Sequence, residues 1–285
     1  MWDGLAQATF SGLASGWIYV LIALGLALVF SIMRILMFAH GEIYMLGAYI
    51  VYYVSVKGGI NFFWALMISA LALGVAGIFI EKFMFRPIRG EMEPAILAAI
   101  GLTLVFQTTA VIAFGGYNKY IPSIFSGVLN LWGIRLSWDR LLIVFIGLAL
   151  TLALFFVIRK TKVGQAMLAI SQDPDAAALQ GINVNHISSL SMGIGCALAA
   201  IAGGLMGSLL QLTPQMGTFA ITKGIAVIVL GGIGSIPGAV LGGLILGLVD
   251  GIVPLFANST IAAIAGFCVI ILILLIKPKG LFGHD

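Results

Sequence analysis

Residues 219–257 read FAITKGIAVIVLGGIGSIPGAVLGGLILGLVDGIVPLFA, with only two charges, Lys223 and Asp250. Two apolar runs, 219–236 and 238–257, flank the glycine- and proline-rich segment 231–238. A membrane span needs about 20 apolar residues, and Pro237 among clustered glycines breaks a helix. In hydrocarbon a broken helix is tolerated where it is buried in protein or lines a cavity. The stretch therefore predicts two membrane helices with an interruption that has either a packing or a pathway role.

The same composition runs through the whole chain. Of 285 residues, 61% are apolar and 8% charged, with a mean hydropathy of +1.18. Soluble domains carry about 25% charged residues, so too few charges are present to cover a soluble surface. A soluble enzyme, a disordered chain and a disulfide scaffold are excluded. The only cysteines, Cys196 and Cys268, lie in apolar runs and read as packing residues. Asp3 is the only charge before Arg34, so no cleavable signal is expected. The apolar runs are roughly 10–33, 41–56, 61–81, 94–114, 140–158, 187–211, 219–236, 238–257 and 260–276. The fold class is all-α and polytopic, with about 8–10 transmembrane helices in a single membrane domain over 1–285.

Basic residues orient these runs. Lys82, Arg86 and Arg89 share one loop; Arg159, Lys160 and Lys162 a second; Lys277 and Lys279 the tail. Even numbers of spans separate the three groups, so all lie on one side, which the rule makes cytoplasmic. Arg34 joins them, and the N-terminus falls outside. Nine basic residues are then inside; Lys57, Lys119, Arg135 and Arg140 are outside. Basic residues in short loops are topology signals, so the net charge of +4 implies no nucleic-acid partner. The outer segment 115–139 carries Tyr117, Tyr120, Trp132 and Trp138. It reads as an interfacial cap or, equally, an anchoring loop.

No nucleotide-binding P-loop, metal-ligand spacing or nucleophile motif occurs. The chain is therefore not expected to be an enzyme, to hydrolyse nucleotide or to carry a cofactor. The loop 159–186 is informative instead. Asp173 as N-cap, Pro174 and Asp175 in the first turn, Ala176, Ala177 and Leu179 in the body and Gly181 past the end form a start-and-stop signature. Two turns are too short to be stable alone, which suits a docking surface or a connector lying on its own bundle. A bulky charge at Ala177 is expected to disrupt docking and leave the subunit folded.

Residues 193–251 contain 15 glycines, with Gly234, Gly238 and Gly242, and Gly243, Gly247 and Gly251, repeating every fourth residue. That spacing lets helices approach closely in lipid. A second break stands in the first half at His40-Gly41-Glu42. Corresponding breaks in two halves are the pointer to an inverted-repeat transporter with a central path. His40, Gly41, Glu42, Lys223, Gly234 and Ser235 are the candidate path residues. Each has a plainer role: a hydrogen-bonded histidine, a packing glycine, a helix-end carboxylate, a snorkelling lysine. Asp250 reads as solvated at a span end.

Four segments in order, FAHGEIYMLGAY (38–49), VGQAMLAISQDPDAAALQGIN (163–183), VLGGIGSIPGAVLGGLILG (229–247) and KPKGLFG (277–283), resemble the LivH-type permease subunits of branched-chain amino acid ABC importers. The resemblance covers about residues 10–283. It implies an inner-membrane assembly with a second, LivM-type permease, two ATPase subunits that bind ATP and Mg, and an extracytoplasmic binding protein. The 173–181 helix then resembles the element that docks into the ATPase. Where the family often carries arginines, this chain has Gln165 and Leu168, with Arg159, Lys160 and Lys162 just upstream. Similar permeases serve urea and amides and share these motifs. An ATP-independent carrier or channel is the remaining alternative. The solute is expected to pass between the two breaks.

Overall fold

In the computed structural model, residues 2–123, 127–131 and 134–282 are described. The helices are α1 (Trp2–Met33), α2 (His40–Tyr52), α3 (Phe62–Ile80), α4 (Met92–Phe114), α5 (Trp138–Lys160), α6 (Lys162–Gln172), α7 (Pro174–Leu179), α8 (Val184–Gly207), α9 (Met216–Gly231), α10 (Ile236–Ile252) and α11 (Ser259–Ile276). Nine of them coincide with the nine apolar runs. Among the described residues, six helical stretches are long and apolar enough to cross a membrane: 4–33, 62–88, 92–114, 138–160, 184–207 and 236–255. α9, α11 and α2 are shorter. Short π-helical turns, Tyr53–Lys57 and Glu81–Phe85, extend α2 and α3.

α1 is the central helix. Between Ile18 and Val29 its side chains are almost all fully buried, which suits a helix apolar on every face. α10 crosses it through the predicted glycine stripe. A Cβ on Gly243 would stand 2.6 Å from Val20 Cγ2, and one on Gly251 2.5 Å from Gly12 Cα. α8 packs on α1, α2 and α3 by the same device: Gly195 faces Gly25, Gly203 faces the Tyr44 backbone, and Gly77 faces Cys196. Backbones thus touch where side chains are missing, and dispersion contacts replace the hydrophobic drive that lipid does not supply. Cys196 is buried as expected; Cys268 is exposed on α11, and both are free thiols.

The 115–139 segment contains a hairpin, β1 (Val128–Leu131) antiparallel to β2 (Ile134–Ser137). Lys119 pairs its backbone with Leu212 in both directions, at 3.1 and 2.8 Å, and its ammonium reaches Tyr53 Oη at 2.8 Å. This segment therefore ties the end of α2 to the α8–α9 connection. Tyr117 and Tyr120 are exposed; Trp132 lies outside the described residues.

The loop 159–186 holds two helices where the sequence pointed to one. α6 is amphipathic, with Gly164, Met167 and Ile170 buried. Its Gly164 packs on the Val157 and Ile158 backbone of α5, folding the segment back against the bundle.

Candidate functional site

The first break begins at Arg34, whose left-handed φ of 55° ends α1. Ile35, Met37 and Ala39 are buried, so the chain turns back into the bundle. α2 then starts beside the middle of α1. The His40 ring is fully buried against Gly25, and neither ring nitrogen makes a full hydrogen bond. Gly41 abuts the Gly217 carbonyl and Ile221 of α9. Glu42, 1% exposed, lies in the first turn of α2 with its carboxylate against Gly217, in the first turn of α9. Its Oε2 has no hydrogen-bond partner. Two positive helix ends, rather than a cation, face this carboxylate.

The second break is tightly satisfied. Gly232 and Gly234 have φ of 102° and 83°, conformations that glycine adopts without strain. Ser235 caps α10, its Oγ accepting from Gly238 N at 3.2 Å. Ser31 Oγ lies 3.2 Å from the Gly234 carbonyl oxygen. The tail closes the other side: Leu281 N donates to Leu230 O at 3.0 Å and Phe282 N to Gly231 O at 2.9 Å. The two breaks therefore do not face each other. They lie at opposite ends of α9, whose 16 residues span about 24 Å.

Lys223 lies midway along α9, and Asp250 is in the last turn of α10, as expected, but is not free in solvent. They pair with each other, Nζ to Oδ2 at 2.7 Å and to Oδ1 at 2.9 Å, with side-chain exposures of 11% and 18%. Tyr19 Oη donates to Asp250 Oδ2 at 2.8 Å. Asp250 lies one turn beyond Gly247, on the α10 face that meets α1, so it is carried into the bundle. The pair joins α9 to α10, with α1 behind it.

The predicted coupling residues form one unit. Asp173 Oδ1 accepts from Asp175 N at 2.9 Å and Ala176 N at 3.0 Å, Pro174 follows the cap, and Gly181 has φ of 82°. Leu179 is 89% exposed, whereas Ala177 is 4% exposed and faces the bundle. Ala177 is thus a packing position, and an arginine there would unseat α7 rather than leave the subunit folded. A cavity of about 360 Å³ beside it is lined by Arg34, Arg89, Glu91, Pro174 and Val184. The basic loops therefore gather at one end of the bundle with α7.

Glu81 is a residue the sequence reading passed over. It is fully buried and binds Arg86 at 2.8 Å and Arg89 at 2.7 Å. It also accepts from Ser189, while Arg89 reaches Asn185 at 2.7 Å. This cluster fastens the α3–α4 connection to the start of α8, directly after α7.

A family model described as the permease component of branched-chain amino acid transport systems matches residues 8–277. The high-affinity branched-chain amino acid permease LivH of Salmonella typhimurium is 33% identical, over 98% of this chain and 95% of that protein. BraD of Pseudomonas aeruginosa is also 33% identical over the same shares. LivM of Escherichia coli is 25% identical over 93% of this chain and 67% of its own length. A solved structure, PsaBC from Streptococcus pneumoniae in complex with Fab, superposes with a TM-score of 0.51 at 14% identity, over 94% of this chain and 91% of that one; it shows the fold alone. The chain belongs to the family of branched-chain amino acid transport permeases, as a multi-pass inner-membrane transport subunit.

Proposed function

We propose that this chain is the LivH-type permease of an ABC importer, moving branched-chain or related amino acids. The observation that carries this reading is the α6–α7 unit, a capped helix with an outward Leu179 at the basic end of a bundle that matches the family over nearly its whole length. A lone carrier has no task for such an element. The partners are a LivM-type permease, two ATPases that bind ATP and Mg, and an extracytoplasmic binding protein. Asp173, Pro174, Asp175, Ala176, Ala177, Leu179 and Gly181 form the coupling element, Ala177 by seating it and Leu179 by contact. His40, Gly41, Glu42 and Lys223 line or border the solute path. Gly234 and Ser235 act as the corner on which α9 and α10 turn. Hydrolysis of ATP belongs to the partners.

Purification tests this directly. The tagged chain is expected to bring ATPase subunits with it, and the reconstituted assembly to take up L-leucine when ATP and binding protein are supplied. Uptake of urea or acetamide in place of leucine would move the chain to the urea or amide branch; leucine uptake without ATPases would make it a lone carrier. The N-terminus outside and C-terminus inside follow from the basic loops. Ser126, a natural outer label site, lies outside the described residues, so Tyr117→Cys and Gln172→Cys serve instead. They are expected to react with an impermeant thiol reagent from opposite sides.

A further inference from the structure

Lys223 and Asp250 sit in apolar helices, where ionised side chains are costly and rare. A well-packed apolar pair of similar volume is usually as stable or more stable than a buried ion pair. Stability alone therefore gives no reason for these two residues. Their surroundings give another. The Lys223 ammonium lies 5.6 Å from the Tyr19 ring centroid and 5.7 Å from that of Phe219. α11 presents Gly266 here, so a Cβ would be needed even to reach 3.9 Å from Asp250 Oδ1. The pair lies just under the surface, with side-chain exposures of 11% and 18%, beside Thr218, Phe219 and Thr222, which are exposed on the same stretch of α9. Thr218 and Thr222, four residues apart, give this membrane helix a polar exposed edge beside an aromatic wall.

An α-amino acid carries the same two charges as this pair, one carbon apart. We infer that Lys223 and Asp250 form an exchange site for a zwitterion. The solute carboxylate takes the Lys223 ammonium and the solute ammonium takes the Asp250 carboxylate, which Tyr19 holds in place. An aliphatic side chain lies on Phe219. Each charge leaves one partner for another of the same sign, so no net charge is moved into the bilayer. In its absence the pair closes on itself, which keeps the site weak enough to release solute. Urea and carboxamides are neutral and cannot replace either ion. The inference rests on the amino-acid reading above and selects it over the urea and amide branch.

The test uses the whole importer in proteoliposomes. Leucine uptake by the unsubstituted assembly checks the amino-acid reading alone. For the site, Thr222→Cys is placed in a chain with Cys196→Ala and Cys268→Ala, and modification by a small thiol reagent is read on this subunit by mass spectrometry. L-leucine is expected to slow modification at least about threefold, and urea and acetamide to leave it unchanged. In parallel, Lys223→Met with Asp250→Asn is expected to keep binding-protein-stimulated ATP hydrolysis and to lose leucine uptake about tenfold or more. The inference is overturned if leucine gives no protection, if position 222 never reacts in any nucleotide state, or if the doubly neutral variant transports leucine within about threefold of the unsubstituted importer. Should that double variant fail to assemble, the protection result decides, because it leaves the pair intact.

Discussion

The carboxylate of Glu42 occupies the place of a side chain on Gly217: a Cβ there would stand 2.7 Å from Glu42 Oε2. The first turn of α2 and the first turn of α9 thus meet around one acidic group. Because α9 also begins inside the bundle, two positive helix ends converge where the sequence pointed to one broken helix. The second break, at the far end of α9, is instead closed by Ser31 and the tail. The Glu42 site and the corner are therefore separate features joined by one helix.

Glu42→Gln should separate stability from function. The buried Oε2 has no partner, and an unpaired charge at membrane depth is costly. The glutamine is expected to raise the stability of the purified subunit by on the order of 1 kcal/mol, read as a higher Tm. If the carboxylate meets the solute ammonium, leucine uptake falls at the same time. A variant that melts lower would show that the two helix ends stabilise the carboxylate; one that transports normally removes Glu42 from the path.

Leu179 and Ala177 should part company. Leu179 is exposed on α7, so Leu179→Glu is expected to leave insertion and Tm unchanged and to cut ATP-driven uptake. Ala177→Arg is expected to cost about 1–3 kcal/mol by overpacking and to lower Tm. Co-purified ATPase, quantified on a gel, distinguishes them: reduced for Leu179→Glu, and reduced only in proportion to folded subunit for Ala177→Arg. Full uptake by Leu179→Glu would exclude α7 as the docking element.

Glu81→Ala leaves Arg86 and Arg89 without their acid. Removing one partner of a buried pair costs about 3–5 kcal/mol. Both arginines are about a quarter to a third exposed, which screens them and sets the expected loss near the bottom of that range. Glu81→Gln, which still accepts from Ser189, should lose less. Equal Tm for all three proteins would show that the cluster does not fasten the α3–α4 connection.

Much of this was legible in the residues. Spans show because membrane helices are apolar on all faces, and α7 shows because its cap, proline and glycine are local signals. α6 does not, because its 11 residues with one buried face are too short for a span signal and its partner is α5. Lys223 and Asp250 are 27 residues apart, and only the α9–α10 hairpin brings them together, so the sequence shows two odd charges and no pair. Glu81 is hidden likewise: charges counted for topology carry no pairing. The separation of the two breaks is hidden as well: the sequence shows that the second break ends the 219–236 run, but not that the first one meets the start of that helix. What the sequence lacks there is the contact between Gly41 and Gly217.

The tail should act as a latch on the α9–α10 corner. Gly280 has φ of 83°, and a Cβ on it would stand 2.5 Å from Gly232 N and 2.7 Å from Gly232 Cα. A side chain at that φ costs about 1–2 kcal/mol before any clash. Gly280→Ala is therefore expected to undock the tail, releasing the Leu230 and Gly231 carbonyls that Leu281 and Phe282 now satisfy; each buried acceptor left unpaired costs about 1–3 kcal/mol. Trypsin gives the readout, because Lys279 precedes Gly280 while Lys277 is protected by Pro278. In inside-out vesicles, cleavage after Lys279 should accelerate about tenfold in Gly280→Ala, a shift of about 1.4 kcal/mol in docking. Ser31→Ala, which removes the tie to the Gly234 carbonyl, should leave that cleavage unchanged. Unchanged cleavage in Gly280→Ala would mean that the tail lies against α9 without holding it.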